Sequence, residues 1–374
     1  KNPNSAAAEF YLSDIRYFGY KLDFGGSSAS TTPTANGFFG INALDFGIVN
    51  DGVTDNTDAL NSLLNQLVND VSTFGGRTIF FPLGLYRFNG NLLIYKQFQA
   101  PILFVGEGCW STGKGSMYSN GGTIFKFYST SQDAKLYLKG NGNFQATGIT
   151  FLNADEASNS ELIKSMNTRL HLMNCAFIGN KYGTLCDQDA IVLGGDLEIE
   201  TPSIDDNGGF QGYGTVIRDN HFNKIRRAVY GKTFANAAVV SSNSVWIDSG
   251  SNLPGGAAFE FDGGLDPNGA QHLAGGHIEN NLVEVHNYTY AFKLGKTYAV
   301  NLFGNMVYDA GQNTVAAYYL GAKAERNLII PGFMPVPNSQ YGNIKIVKDD
   351  SVIKTNRVVF GEIINGDVNE YPTN

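Results

Sequence analysis

A short segment built around Asn, or once around Gly, with apolar residues close by recurs through the middle of the 374-residue chain. It reads Thr147-Gly148-Ile149-Thr150-Phe151, Met173-Asn174-Cys175-Ala176-Phe177, Asp219-Asn220-His221-Phe222, Ser242-Asn243-Ser244-Val245, Asn280-Asn281-Leu282-Val283, Gly304-Asn305-Met306-Val307 and Arg326-Asn327-Leu328-Ile329. Successive anchors lie 26, 46, 23, 38, 24 and 22 residues apart. A unit of about 23 residues explains four of these gaps, 46 reads as two units, and 38 as one unit plus an insertion of about 15. A second segment keeps the same phase: Ala190-Ile191-Val192-Leu193-Gly194, Ala258-Phe259-Glu260-Phe261-Asp262, Ala291-Phe292-Lys293-Leu294-Gly295 and Ala317-Tyr318-Tyr319-Leu320-Gly321, with Ala228-Val229-Tyr230-Gly231 one residue short. Two short strands per unit, parted by turn residues, specify a parallel β-solenoid whose coils stack at the strand spacing of about 4.8 Å.

Composition fits stacked coils. Charged residues are only 16% of the chain, against roughly 25% in an average soluble domain, and stacking tolerates few of them. The 39 Asn suit a solenoid because stacked amides hydrogen-bond from coil to coil. A hydrophobic fraction of 43% is ample for a core and excludes global disorder. Three Cys are too few for a disulfide framework or a Cys-based zinc site. A net charge of −8 argues against nucleic acid or an anionic membrane surface as main partner, and no apolar run has membrane-spanning length. The chain opens at Lys1 rather than Met, reads as a fragment or a processed form, and shows no signal peptide.

Four segments follow. Residues 1–40 form a polar arm or linker, with a Ser/Thr/Gly stretch over Gly25–Gly37. Residues 41–90 hold a capping helix and the first coil: Ala59, Leu60, Leu63, Leu64, Leu67 and Val68 recur at helical spacing over 55–70, with Asp55 or Thr57 as cap. Beyond Gly75-Gly76 the period shortens to strands at Thr78–Phe81, Leu92–Tyr95, Ile102–Val105, Thr123–Phe127 and Lys135–Leu138. Residues 91–330 are the β-helix proper. In 331–374, Pro331, Pro335 and Pro337 interrupt the repeat before two apolar runs, Ile344–Val347 and Val358–Ile364, which reads as a terminal cap or an oligomer contact.

Asp45-Phe46-Gly47, then Asn50-Asp51-Gly52-Val53-Thr54-Asp55-Asn56-Thr57-Asp58-Ala59-Leu60, then Gly75-Gly76-Arg77-Thr78-Ile79-Phe80-Phe81-Pro82-Leu83-Gly84-Leu85-Tyr86 closely resembles the opening of the pectate-lyase-like right-handed parallel β-helix superfamily. Within it, the polar arm, the few Cys and the irregular C-terminal stretch look most like bacteriophage tailspike depolymerases. The resemblance implies an all-β, right-handed parallel β-helix with a short N-terminal capping helix and an irregular C-terminal cap. It also implies a homotrimer on the virion tail, acting outside the bacterium on its surface polysaccharide, whether capsule or O-antigen. Asp187-Gln188-Asp189-Ala190 is similar to the paired-aspartate element of polygalacturonase-type hydrolases. No Gly-His-Gly element or Arg-x-Lys follows, and Gly275-Gly276-His277 is the nearest approach, so that catalytic assignment is not carried over.

In Ala-apolar-x-apolar-Gly the two apolar residues face the core and x faces out. Coil by coil, x reads Val192, Tyr230, Glu260, Lys293 and Tyr319, an expected outward ladder. Tyr230 and Tyr319 offer flat apolar platforms to sugar rings. Glycoside hydrolysis needs two carboxyl groups, one of them protonated, and Glu260 with Asp262, two residues on and on the same face, is the best pair. Lys293 completes the catalytic candidates. The competing interpretation is an ordinary cross-coil ion pair, Glu260 with Lys293, with Asp262 capping the next turn.

The insertion after Asn243 flanks Glu260 and holds Asp248, Gly255-Gly256, Gly263-Gly264, Asp266, His272 and His277. Asp248, His272 and His277 are therefore candidate substrate contacts. A second acidic region, Gly194–Gly214, carries Asp196, Glu198, Glu200, Asp205 and Asp206 but matches no calcium-loop signature and reads as a solvated loop. The five His (His171, His221, His272, His277, His286) show no metal spacing, so neither metal nor cofactor is expected. Three rivals remain beside the hydrolase: a polysaccharide lyase using Lys293 with Tyr230 or Tyr319, a non-catalytic glycan-binding fibre, and a purely structural solenoid. An esterase lacks a Gly-x-Ser-x-Gly elbow.

Overall fold

The computed structural model describes residues 16–17, 20–21, 40–69, 77–94, 101–109, 121–139, 142–154, 160–166, 168–179, 188–194, 214–232, 237–246, 253–261, 273–285, 288–308, 314–332 and 345–359. The chain forms two units, residues 1–39 and 40–374. In the first, Arg16–Tyr17 pairs antiparallel with Tyr20–Lys21; the Gly25–Gly37 stretch lies outside the described residues.

The second unit is a right-handed parallel β-helix with three long sheets of nine, eleven and nine strands among the described residues. Each complete coil contributes one strand to each sheet. Sheet one runs from Leu92–Ile94 through Leu136–Leu138, Ile163–Ser165, Asp189–Leu193, Arg227–Gly231, Leu253–Phe261, Tyr288–Leu294 and Ala316–Leu320 to Lys345–Asp349. Sheet two begins at Gly40–Asn42 and ends at Arg357–Val358, and sheet three runs from Asp51–Asp55 to Met306–Tyr308. The coil therefore continues past Pro331, since Lys345–Asp349 pairs with Ala316–Leu320.

The core is a stack of like on like. Phe151, Phe177 and Phe222 form a column with ring centroids 5.3 and 5.0 Å apart. Phe259, Phe292 and Tyr318 form another, at 5.3 and 5.2 Å. These spacings follow from the coil repeat, because residues in register on successive strands are held about 4.8 Å apart. At the N-terminal end α1, Thr57–Asn69, buries Leu60, Leu63, Leu64 and Leu67 over the first coil. Its start is set by Asp55, whose carboxylate accepts from the Thr57 N–H at 3.0 Å and the Thr57 hydroxyl at 2.6 Å.

The sharp turn between sheets two and three explains the recurring Asn and corrects its phase. One residue per turn takes a left-handed backbone: Gly148, Asn174, Asp219, Ser242, Asn280 and Gly304. The next residue inserts its side chain into the turn, giving the buried column Cys175, Asn220, Asn243, Asn281 and Asn305. Gly148 and Asn174 are thus turn residues one position before the column. Asn327 belongs to a different turn, entering sheet two, where it pairs with Asn356. The 46-residue gap also reads differently, because Met173 pairs directly with Arg218 and Ala176 with His221. It is a single coil with a long insertion, not two coils; spacing alone cannot tell these apart.

Candidate functional site

The outer face of sheet one carries one continuous in-register row. It runs Leu93, Tyr137, Lys164, Val192, Tyr230, Glu260, Lys293, Tyr319 and Lys348. The residue before each buried Ala faces out as well, because that Ala turns inward with its apolar neighbour. This gives a second row, in which Asp189 pairs with Arg227, and Ala257, Tyr290 and Ala316 follow in register.

Four of these groups interlock across four coils. Glu260 is only 6% exposed, unusual for a carboxylate on the outside of a sheet. Its Oε1 lies 3.3 Å from Lys293 Nζ and its Oε2 3.5 Å from Arg227 Nη1. Oε2 accepts no hydrogen bond among the described residues. Arg227 is held on two further sides. It forks onto Asp189 through Nε at 2.9 Å and Nη2 at 2.7 Å, and its guanidinium carbon sits 3.5 Å from the Tyr230 ring centroid. Arg226 places a second fork on the same carboxylate, at 2.8 and 2.6 Å.

Burial acts to raise the Asp189 carboxyl, but the two guanidinium forks outweigh it and hold it below the ordinary range. Burial likewise works against the charged Arg227, and the Asp189 fork outweighs it and pushes the guanidinium pKa up. The cluster brings three cations against two carboxylates, in a chain whose net charge is −8.

An aromatic patch adjoins the cluster. Tyr290 and Tyr319 stack at 4.7 Å with an interplanar angle of 23°, over Ala257 and Ala316, in an apolar cluster separate from the interior core. Lys348 Nζ stands 5.4 Å from the Tyr319 ring centre. Along the main row, Glu260 and Lys293 thus lie between two tyrosines, Tyr230 and Tyr319.

Of the expected site residues, Tyr230, Glu260, Lys293 and Tyr319 share this row. His277 does not join them, for it begins His277–Glu279 of sheet two, in register with Val239 and Asn301. Asp262, Asp248 and His272 lie outside the described residues, as do the acidic residues between Asp196 and Asp206. The extra residues after Asn243 fall on both sides of the strand Leu253–Phe261, at 247–252 and 262–272. Sequence reasoning missed Asp189, Arg226, Arg227 and Tyr290 as site residues. The signal was available in the residue preceding each repeat Ala: Asp189, Arg227, Ala257, Tyr290, Ala316.

His171 sits in sheet two and His221 in sheet three, both in strands as expected. No cluster of His, Cys, Asp and Glu able to hold a metal occurs among the described residues, and no described helix is long and apolar enough to cross a membrane.

The family described as rhamnogalacturonase A/epimerase, pectate lyase-like, matches residues 40–253. No curated protein matches the chain. Among solved structures, the catalytic unit of a thermostable α-1,3-glucanase from Streptomyces thermodiastaticus is similar over 89% of this chain and 54% of its own, at 13% identity and a TM-score of 0.46. A tailspike protein of an Acinetobacter baumannii phage is similar over 86% and 54%, at 13% identity and TM-score 0.43. A surface adhesin of Streptococcus pneumoniae is similar over 85% and 90%, at 13% identity and TM-score 0.35. The chain spans just over half the length of the glucanase and tailspike chains. Likenesses at this level assign neither activity nor substrate.

Proposed function

The chain belongs to the rhamnogalacturonase A/epimerase, pectate lyase-like family, and on that basis we propose that it is a polysaccharide-active enzyme working on the outer face of sheet one. The supporting observation is Glu260: a nearly buried carboxylate, ion-paired on both sides, with one oxygen accepting no hydrogen bond among the described residues, set in a row between Tyr230 and Tyr319. A purely structural ion pair does not call for aromatic neighbours on both sides along the same row.

The finer reading is a tailspike-type endoglycanase that cuts a bacterial capsular or O-antigen polysaccharide by hydrolysis. Glu260 acts as the ionised carboxylate, either taking a proton from water or attacking the anomeric carbon. Asp262, two residues on in the sequence, supplies the proton to the leaving oxygen. Lys293 and Arg227 fix the Glu260 side chain, and Tyr230 and Tyr319 carry sugar rings on either side of the bond that breaks. Asp248 and His272, in the segments flanking the Glu260 strand, contact the polymer further out. His277, on another sheet, is left out of this site. The homotrimer, the virion tail and the extracellular setting rest on the resemblance of the polar arm, the few Cys and the irregular C-terminal stretch to tailspikes.

Elimination is the second reading, favoured by the cation excess, which suits a uronate carboxylate. In that reading Lys293 has to give up Glu260 before it can serve as a base. Incubation with purified capsular and O-antigen polysaccharides, followed by mass analysis, tests the proposal. Hydrolysis yields saturated oligosaccharides, elimination yields unsaturated ones that absorb in the ultraviolet, and a glycan-binding fibre yields none, which rules out enzymatic function on the polymers assayed.

A further inference from the structure

Asp189 is the most tightly held carboxylate in the cluster and the one least able to react. It is 3% exposed, and four charge-assisted hydrogen bonds from Arg226 and Arg227, all between 2.6 and 2.9 Å, occupy both its oxygens. Two planar forks on one carboxylate leave no oxygen turned to a substrate. Arg227, by contrast, uses only Nε and Nη2 on Asp189, and its Nη1 remains for Glu260 Oε2 at 3.5 Å. The fork fixes the plane of the guanidinium, that plane lies against the Tyr230 ring at 3.5 Å, and its far corner meets Glu260.

We infer that Asp189 is a positioning residue for the reaction: it aligns Arg227, and through Arg227 it holds the Glu260 carboxylate and the Tyr230 ring in working geometry. The inference rests on the proposed role of Glu260. It assigns Asp189 no contact with the substrate, even though its sequence neighbourhood looks like a catalytic aspartate pair. A carboxylate that only stabilised the coil would need one arginine. Here two converge, and the one that also reaches Glu260 is the more buried, with its side chain 11% exposed against 28% for Arg226.

Two variants test this, Asp189→Asn and Asp189→Glu, the second retaining the charge if the first fails to fold. Crystal structures of the variants provide a readout that needs no substrate. Arg227 is expected to leave the Tyr230 face and to move beyond ion-pair distance of Glu260 in Asp189→Asn, with partial return in Asp189→Glu. On a polysaccharide cleaved by the wild type, kcat of the folded Asp189→Asn protein is expected to fall about tenfold or more while KM changes less than about threefold. In an Arg227→Lys background the same substitution should add little, because the two residues act as one unit. An unmoved Arg227, or an unchanged kcat in a folded variant, overturns the inference. If Glu260→Gln also retains full activity, the proposed site itself fails; if Glu260→Gln is inactive and Asp189→Asn is not, only the positioning role falls.

Discussion

The side-chain oxygen of Asn281 accepts two hydrogen bonds from Asn243 one coil below, from its backbone N–H at 3.0 Å and its side-chain amide at 2.9 Å. Asn281 in turn donates to Val240 O at 2.9 Å and passes its own N–H and amide to Asn305 Oδ1. Each rung thus satisfies a turn that would otherwise bury unpaired backbone groups. Asn281→Ala should destabilise the protein by about 2–4 kcal/mol, since it strands two donors and an acceptor in a fully buried site. Asn356→Ala, at a half-buried position where the side chain accepts from Asn327, should cost less, about 1 kcal/mol. Urea unfolding of the two variants checks the order.

His221 gives the protein a pH dependence of its own. Burial pushes its imidazole down to about 4, while an unfolded histidine titrates near 6.5. Between those values the unfolded chain binds a proton that the folded chain does not, so stability falls as pH drops from about 6.5 to about 4 and levels off below. Allowing for partial exposure, the loss is on the order of 1–3 kcal/mol. In the fold, His221 Nδ1 lies 2.8 Å from Ser244 Oγ. Denaturation at a series of pH values should show the difference between wild type and His221→Gln confined to this window.

Tyr319→Ala should weaken polysaccharide binding about 5- to 20-fold without unfolding the protein, because the ring lies on the outer face over Tyr290, Ala257 and Ala316 rather than in the core. Titration of the polymer onto catalytically inactive protein measures this directly. An unchanged affinity removes Tyr319 from the site.

Lys293→Met separates the two reaction classes. Under hydrolysis the rate should fall about tenfold but persist, because Arg227 still faces Glu260. Loss of about 10²-fold or more, together with unsaturated products from the wild type, would identify Lys293 as an elimination base.

Much of this architecture is legible in the sequence because a solenoid repeats its physics. The x position of Ala-apolar-x-apolar-Gly can be read off coil by coil, and the structure sets Val192, Tyr230, Glu260, Lys293 and Tyr319 in register. The helix over 55–70 forms at Thr57–Asn69. What the repeat conceals is the turn. Asn174 and Asn220 look alike in sequence, yet one adopts the left-handed backbone and the other fills the column behind it, because Asn suits both roles. Nor could Arg227 be recognised from spacing. Its function depends on Asp189 and Glu260, one from the coil on either side, which only the stacking brings together, and on Tyr230 three residues on in its own strand. His277 misled for the opposite reason: near Glu260 in sequence, it has already turned the corner into sheet two.

The most direct test is the rate at which wild type and Glu260→Gln shorten a capsular or O-antigen polysaccharide that the wild type cleaves. Glutamine keeps the shape of the side chain and removes the ionised carboxylate. The expected result is a loss of about 10²-fold or more in kcat, with an unchanged circular dichroism spectrum and oligomeric state. Cleavage by Glu260→Gln at the wild-type rate would contradict the assignment of this face as the site of reaction.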